Sequence, residues 1–266
     1  MKSPIKYYGG KTLQAEWICG VINGYDFRCY VEPFGGSGAI LFAKEPSPIE
    51  IYNDVYSDLV TFFRVLRSPH LYKQFVQFLK CSPYSREIYH ESCDAIRNGK
   101  LSEVERAAHF FIAIRQSWGQ KVGGSWSMIG LAQRNMSAPY RHAIDRLPIA
   151  HERLTNVHVE NLDALECIKK YAHANSLIYC DPPYVAATRV AQNVYKHEYT
   201  DEQHTQLVET LLTVPGHKIL SGYKTKIYAP LVKAGWTVKQ KQFVCHGSRG
   251  TSERYRTECL YCSPKQ

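Results

Sequence analysis

Asp181-Pro182-Pro183-Tyr184 stands directly behind the apolar run Ser176–Cys180, and its residue types define a candidate chemistry. The run reads as a short buried strand. Two consecutive prolines cannot continue a ladder or a helix, so the backbone must leave the sheet there with φ fixed. The resulting strand-end loop offers one carboxylate, main-chain carbonyls and one aromatic ring. Such a set can hold a planar exocyclic amine. Asp181 and the Pro182 carbonyl accept its two N–H hydrogens, and Tyr184 stacks on the ring that bears it. The same four residues also suit a strand-ending turn with a buried tyrosine.

Two further segments carry groups of the same kind. Arg28–Val31 reads as a strand that runs into Glu32-Pro33-Phe34-Gly35-Gly36-Ser37-Gly38-Ala39-Ile40. A Gly-rich strand-to-helix turn lets a ligand approach the backbone, and a helix start favours negative charge. The spacing of Gly36 and Gly38 is not the dinucleotide fingerprint, so an amino-acid or nucleoside end fits better than a pyrophosphate. Glu50–Asp54 is a strand ending in a carboxylate about 20 residues on, where nucleotide-binding α/β units place their ribose acceptor. Asp54 equally suits the N-cap of a following helix.

Lys6 to Lys11 (Lys-Tyr-Tyr-Gly-Gly-Lys), Glu32 to Gly38, Asn53 to Leu59 and Asp181 to Tyr184 occur in that order across nearly the whole chain. In this the chain resembles the Dam-type (D12 class) N6-adenine-specific DNA methyltransferases. The resemblance implies S-adenosylmethionine as cofactor, duplex DNA as partner, and methyl transfer to N6 of a flipped adenine. Asp181, Pro182 and Tyr184 take the catalytic positions. Tyr7, Phe34, Gly36, Gly38, Asp54 and Asp181 surround the cofactor, with Lys11 beside them, and Lys6 matches a residue that touches DNA. Asp163, behind the strand at Val157, resembles an additional carboxylate near the cofactor adenine; it also suits a helix N-cap. No metal is required, because the sulfonium loses its charge as the methyl leaves.

The elements that must position these groups alternate. Strand signals at 28–31 and 50–54 return at Val157–Val159, Leu177–Cys180, Lys218–Leu220, Val238 onward and Glu258–Tyr261. Thr200–Gln203 is a capping box opening a helix through Leu212. The expected fold is a doubly wound, Rossmann-like α/β sheet, with residues 1–60 and 150–266 forming the catalytic domain. Residues 61–149, helical at Glu103–Ile114 and then rich in Gly, Ser and Trp, form an inserted target-recognition domain.

Within that insertion Arg115, Lys121, Arg134, Arg141 and Arg146 face one acid, Asp145. Gln116, Trp118, Gln120 and Trp126 lie among them. Cations hold phosphates, amides read base edges and aromatic rings fill the gap left by an extruded base. Buried tryptophans in a surface helix pair would give a similar pattern. GATC-reading relatives carry an Asn-Gly-Leu-type segment after an Asn-Arg pair, whereas this chain has Ile114-Arg115-Gln116-Ser117-Trp118-Gly119-Gln120; a site other than GATC, or a short and permissive one, is expected.

Composition agrees. Lys and Arg exceed Asp and Glu by 33 to 24, a net charge of +9 that suits a polyanionic partner. No apolar stretch approaches the roughly 18 residues of a membrane helix. Nine scattered cysteines suggest a reduced, cytosolic protein, and the resemblance implies the cytoplasm of a prokaryotic cell or phage-infected host. Cys259-Leu-Tyr-Cys262 is a lone pair, so a zinc site is not expected. DPPY loops also serve RNA adenine methyltransferases, related NPPY loops serve enzymes acting on glutamine amides, and a lapsed DNA-binding relative would share the motifs. The Lys6–Lys11 motif and basic insertion favour DNA, and intact Gly36, Asp54, Asp181 and Tyr184 favour activity.

Overall fold

A computed structural model describes residues 1–5, 10–120, 122–127, 135–185, 198–244 and 255–265, with the side chain of Gln120 excluded. The expectations for Lys6, Tyr7, Lys121, Arg134 and the Gln120 side chain therefore lie outside the described residues.

Seven strands form one sheet: β1 (Cys29–Glu32), β2 (Ile49–Asn53), β3 (Val157–Glu160), β4 (Ser176–Cys180), β5 (His217–Gly222), β6 (Thr237–Val244) and β7 (Tyr255–Cys262). Their spatial order is β3-β2-β1-β4-β5-β7-β6. The first five are parallel, and β7 runs antiparallel to both β5 and β6. β1, β4 and β5 are buried along their whole length, as central strands covered on both faces must be. Side chains alternate between the faces. Tyr30, Tyr52, Leu177, Tyr179 and Ile219 enter one core; Cys29, Val31, Ile51, Ile178, Cys180 and Leu220 enter the other.

The first face is covered by α1 (Ala15–Ile22), α2 (Ala39–Ala43) and a helical run between β2 and β3: α3 (Ser57–Arg67), α4 (Pro69–Cys81), α5 (Arg86–Asn98), α6 (Glu103–Gln116), α7 (Ser137–Asp145) and α8 (Leu147–Leu154). The second is covered by α9 (Ala164–Tyr171), α10 (Asp201–Thr213) and α11 (Ala229–Lys233). Capping boxes open α6 at Ser102/Glu105 and α10 at Thr200/Gln203. α6 is the centre of the helical run, with Ala107, Ala108 and Phe110–Ile114 all buried. Its Phe110 and Phe111 pack against Phe62 of α3 and Phe75 of α4.

The boundaries expected at 60/61 and 149/150 fall inside α3 and α8. Leu59, Phe62 and Phe63 of α3 share a continuous core with Tyr52 of the sheet and with Tyr140 and Ile144 of α7. The helical run and the sheet are thus packed on common residues. Connections on one side of β1 run toward β2 and β3, and on the other toward β4 and β5. The crevice at the carboxyl ends of β1 and β4 is the switch point where ligands of doubly wound sheets bind.

Candidate active site

That crevice holds a cavity of about 430 Å³, within the usual range for small-ligand sites. Its walls are the loops that follow four neighbouring parallel strands: Glu32–Ser37 after β1, Asp54–Tyr56 after β2, Asp163–Ala164 after β3 and Asp181–Pro183 after β4. Gly10, Lys11, Glu198 and Tyr199 also line it. Each strand end delivers a carboxylate, which is why alternating strand and helix signals with terminal acids converge on one place.

Asn53, the last residue of β2, ties these loops together and was not singled out by sequence reasoning. It is fully buried; its amide nitrogen donates to the carbonyls of Pro33 (2.9 Å) and Leu162 (3.1 Å), and its oxygen accepts from Leu162 N (2.8 Å). Gly35 N donates to the Asn53 carbonyl at 2.7 Å. Gly35 has no room for a side chain, because a Cβ there would stand 2.2 Å from the Tyr52 ring. Gly36 and Gly38 adopt positive φ, at 49° and 67°.

Asp54 is not a helix N-cap. Its two oxygens accept from Gly36 N and Tyr56 N, each at 2.8 Å, while Tyr56 caps α3 through its backbone. The anion-holding N–H of the Gly-rich turn is thus taken by the chain's own carboxylate, and α2 is only five residues long. A grip on a negatively charged ligand group, expected from the helix start, is replaced by an acidic wall. Asp163 caps α9 through Leu165 N (2.8 Å) and Glu166 N (3.4 Å), and it also lines the cavity. Phe34 presents a half-buried ring, edge-on to Tyr199 at 5.4 Å. Gly36 lines the cavity, and Gly38 instead begins α2 behind it.

Asp181 meets Lys11 in a salt bridge of 2.7 Å. Burial pushes the Asp181 carboxyl up to about 6; Lys11 opposes the shift and Glu258 adds to it. Burial also raises Glu32 to about 8, offset in part by the hydrogen bond from Tyr30. Glu32 accepts from Tyr30 Oη and Leu41 N, both at 3.1 Å.

Tyr184 departs from the open aromatic face expected of it. It is buried, its ring edge-on to Tyr223 at 4.6 Å, and it does not line the cavity. Its hydroxyl accepts from Lys11 and donates to Glu258. In this conformation it is the buried strand-end tyrosine that the motif also allowed. Pro182 is buried and lines the cavity with Asp181.

The residues expected to meet DNA separate. Trp118 is 73% exposed at the start of a 3-10 turn, Trp118–Gln120. A short antiparallel bridge, Ser117 to Trp126, closes the loop that carries it, and Tyr84 and Tyr89 donate to the carbonyls of Ser127 and Gly124. Trp126 is half-buried, 5.5 Å from the Tyr84 ring and 5.1 Å from the Arg86 guanidinium. Arg115 lies over Phe111 and donates to the Pro139 carbonyl at 3.5 Å; burial lowers its pKa. Gln116 is a correction. It is fully buried, accepting from Ser85 N and donating to the Pro83 carbonyl, each at 3.1 Å, so its amide is a strut between α6 and the α4–α5 loop rather than a reader of base edges. Cys259 and Cys262 enter cores on opposite faces of the sheet and cannot share a ligand.

A parallel sheet with an antiparallel seventh strand thus carries acids at four strand ends around one cavity. The chain matches the D12 class N6 adenine-specific DNA methyltransferase family over residues 7–244, and it belongs to that family. It is also similar to the Type II methyltransferase M.MjaIII of Methanocaldococcus jannaschii, with 24% identity over 233 residues, 79% of this chain and 78% of the relative. The protein is an adenine-specific DNA methyltransferase. No described helix is long and apolar enough to cross a membrane.

Proposed function

We propose that the methyl donor is S-adenosylmethionine, bound in the cavity at the ends of β1–β4, and that the acceptor is N6 of an adenine extruded from duplex DNA. The observation that carries this reading is the placement of Asp181 on the cavity wall with Asp54 and Asp163. A donor bearing an ammonium, a sulfonium and ribose hydroxyls fits a wall of carboxylates, with the Phe34 and Tyr199 rings for its apolar parts. An anionic dinucleotide does not, because the Gly36 N–H is already taken by Asp54.

When bound, the donor would supply an electrophilic methyl, the methyl–sulfur bond breaking with its electron pair left on a neutral sulfur. Everything else falls to the chain. The amine at N6 is a weak nucleophile, since its lone pair is delocalised into the purine. Donation of its N–H groups to Asp181 and the Pro182 carbonyl favours rehybridisation and aims the lone pair. That pair forms the new N–C bond, and the nitrogen then releases one proton, which Asp181, held near 6, can receive and pass to water. Alignment of the two reactants supplies up to roughly 7–11 kcal/mol. Extrusion of the base costs a few kcal/mol. Trp118, exposed on its 3-10 turn, is the group from the helical run best placed to meet the duplex, and residues 61–149 carry target recognition. The +9 charge supports phosphate contact. Action in the cytoplasm of a prokaryotic cell or phage-infected host follows from this role.

The test is transfer of a labelled methyl from S-adenosylmethionine to duplex DNA, RNA or a glutamine-containing peptide, followed by mapping of N6-methyladenine. Label confined to adenine in DNA supports the reading. Label in RNA alone refutes it, and methylation confined strictly to GATC refutes the expected departure from that site.

A further inference from the structure

Behind the cavity, four segments distant in sequence meet through one phenol. Tyr184 Oη lies between Lys11, from the N-terminal segment, and Glu258, from β7. Ser221 of β5 donates to the same Glu258 oxygen at 2.8 Å. Lys11 in turn bridges to Asp181 at 2.7 Å and stands 4.5 Å from the Tyr184 ring centroid. Glu258 itself is only 4% exposed and is absent from the cavity wall, so it touches neither reactant. A buried carboxylate is costly unless its oxygens are satisfied, and here two hydroxyls converge on one of them. The antiparallel strand β7 thus reaches the strand-end loop with a charge.

We infer that Glu258 is a positioning residue for methyl transfer: by anchoring the Tyr184 hydroxyl it fixes the tyrosine ring and holds Lys11 against Asp181, so that the carboxylate receiving the adenine amine is oriented from β7. The proposal rests on the role given to Asp181 above. Rotation of the Tyr184 phenol would release Lys11 from one of its two anchors in this network. Among the described residues, the charged and titratable groups facing Asp181 are Lys11, Glu32 from β1, Tyr179 and Cys180 within β4, Tyr184, Tyr228 and Glu258. Of these, Glu258 adds a negative charge that holds Asp181 up, and Lys11 a positive one that holds it down.

The experiment compares Glu258→Gln, Tyr184→Phe and the double variant in the full chain, with DNA and S-adenosylmethionine saturating. Loss of alignment at the reacting nitrogen costs roughly 10- to 100-fold in kcat. Each single variant is expected to lose that much while KM for DNA stays within about twofold. The double variant is expected to lose no more than the worse single one, because both act through one hydroxyl. Loss of the Glu258 charge lowers Asp181 while release of Lys11 raises it, so the acid limb of kcat in Glu258→Gln should lie at lower pH than in Tyr184→Phe, which loses the same anchor and keeps the charge; a purely structural defect would not separate the two. Losses that multiply, or a Glu258→Gln enzyme at wild-type rate, overturn the inference. If Glu258→Gln does not fold, Ser221→Ala frees one hydroxyl contact and keeps the charge; a lower kcat supports the inference and an unchanged one overturns it. Asp181→Asn, measured alongside, separates failure here from failure of the Asp181 assignment: near wild-type N6 transfer in that variant removes the assignment itself.

Discussion

Replacing Lys11 by methionine removes the ammonium that lies 2.7 Å from Asp181 and leaves a side chain of similar length. Burial alone drives the Asp181 carboxyl upward, and with Lys11 in place it stands at about 6. An opposite charge at this range lowers a carboxyl by roughly 1–3 units, so its loss should carry Asp181 to roughly 7–9. With 17% of the Asp181 side chain exposed, water screens part of the effect and the lower half of that range is expected. At pH 7 the ionised fraction then falls from roughly nine-tenths to roughly one-half or one-tenth, a differential of about 1.4–2.7 kcal/mol. In the role proposed for Asp181 the ionised carboxylate is the form that can take up the proton released from nitrogen, so the acid limb of kcat must move up by the same interval. Single-turnover rates from pH 5 to 9 would measure it, with Lys11→Arg as the charge-preserving control. Recovery of the methionine variant at high pH is the decisive sign. An acid limb that stays near 6, or a rate loss equal at every pH, would refute the reasoning and move Lys11 to a role in binding.

Other variants test other parts of the structure. Asn53→Ala removes three buried side-chain bonds at about 0.5–1.5 kcal/mol each, so urea unfolding should show about 1.5–4.5 kcal/mol lost and calorimetry a weaker donor affinity; a change below about 0.5 kcal/mol would remove Asn53 as the tie between loops. Glu32 titrates at about 8 when folded against an ordinary value of 4.5, so the stability it contributes is complete below the lower value and lost as pH rises through the upper one. Glu32→Gln should therefore match the wild type near pH 4, exceed it increasingly from about pH 5 to 8 and keep that lead near pH 9 in urea melts, and a wild type that gains on the variant over that range would contradict the assignment. Trp118→Ala should weaken DNA binding with stability within about 0.5 kcal/mol of wild type. Gln116→Ala should lose about 1–3 kcal/mol of stability with its sequence preference unchanged, and the opposite pattern in either variant would reverse the division of roles.

The strand-end acids were legible because parallel strands announce themselves twice. Ser176–Cys180 is apolar on both faces and then stops at two prolines, so the position of Asp181 follows from the chain alone. Asp54 and Asp163 could be placed at strand ends by the same logic, but not assigned between cap and ligand wall. That choice depends on which N–H groups the neighbouring loop presents, and Gly36 presents one to Asp54 from 18 residues away. The domain division cut through α3 because its apolar spacing, Leu59, Phe62, Phe63, Leu66, continues past residue 60 onto a core shared with the sheet.

Gln116 shows how local composition misleads. A glutamine among arginines and tryptophans looks like a base reader, yet it lies four residues beyond Ile112 and three beyond Ala113, on the buried face of α6. Extending the helical period by one more turn would have found it. No comparable signal exists for Glu258. Its neighbours Cys259–Cys262 read as a plain buried strand, and its partner Tyr184 lies 74 residues earlier. Only the reversal of β7 against β5 brings Glu258 to the hydroxyls of Ser221 and Tyr184. The groups proposed to touch the reactants sit on strand ends, where polarity breaks an apolar pattern and is visible. The groups that hold them in place sit inside strands, where a single acid in an apolar run gains its meaning from the neighbouring strand.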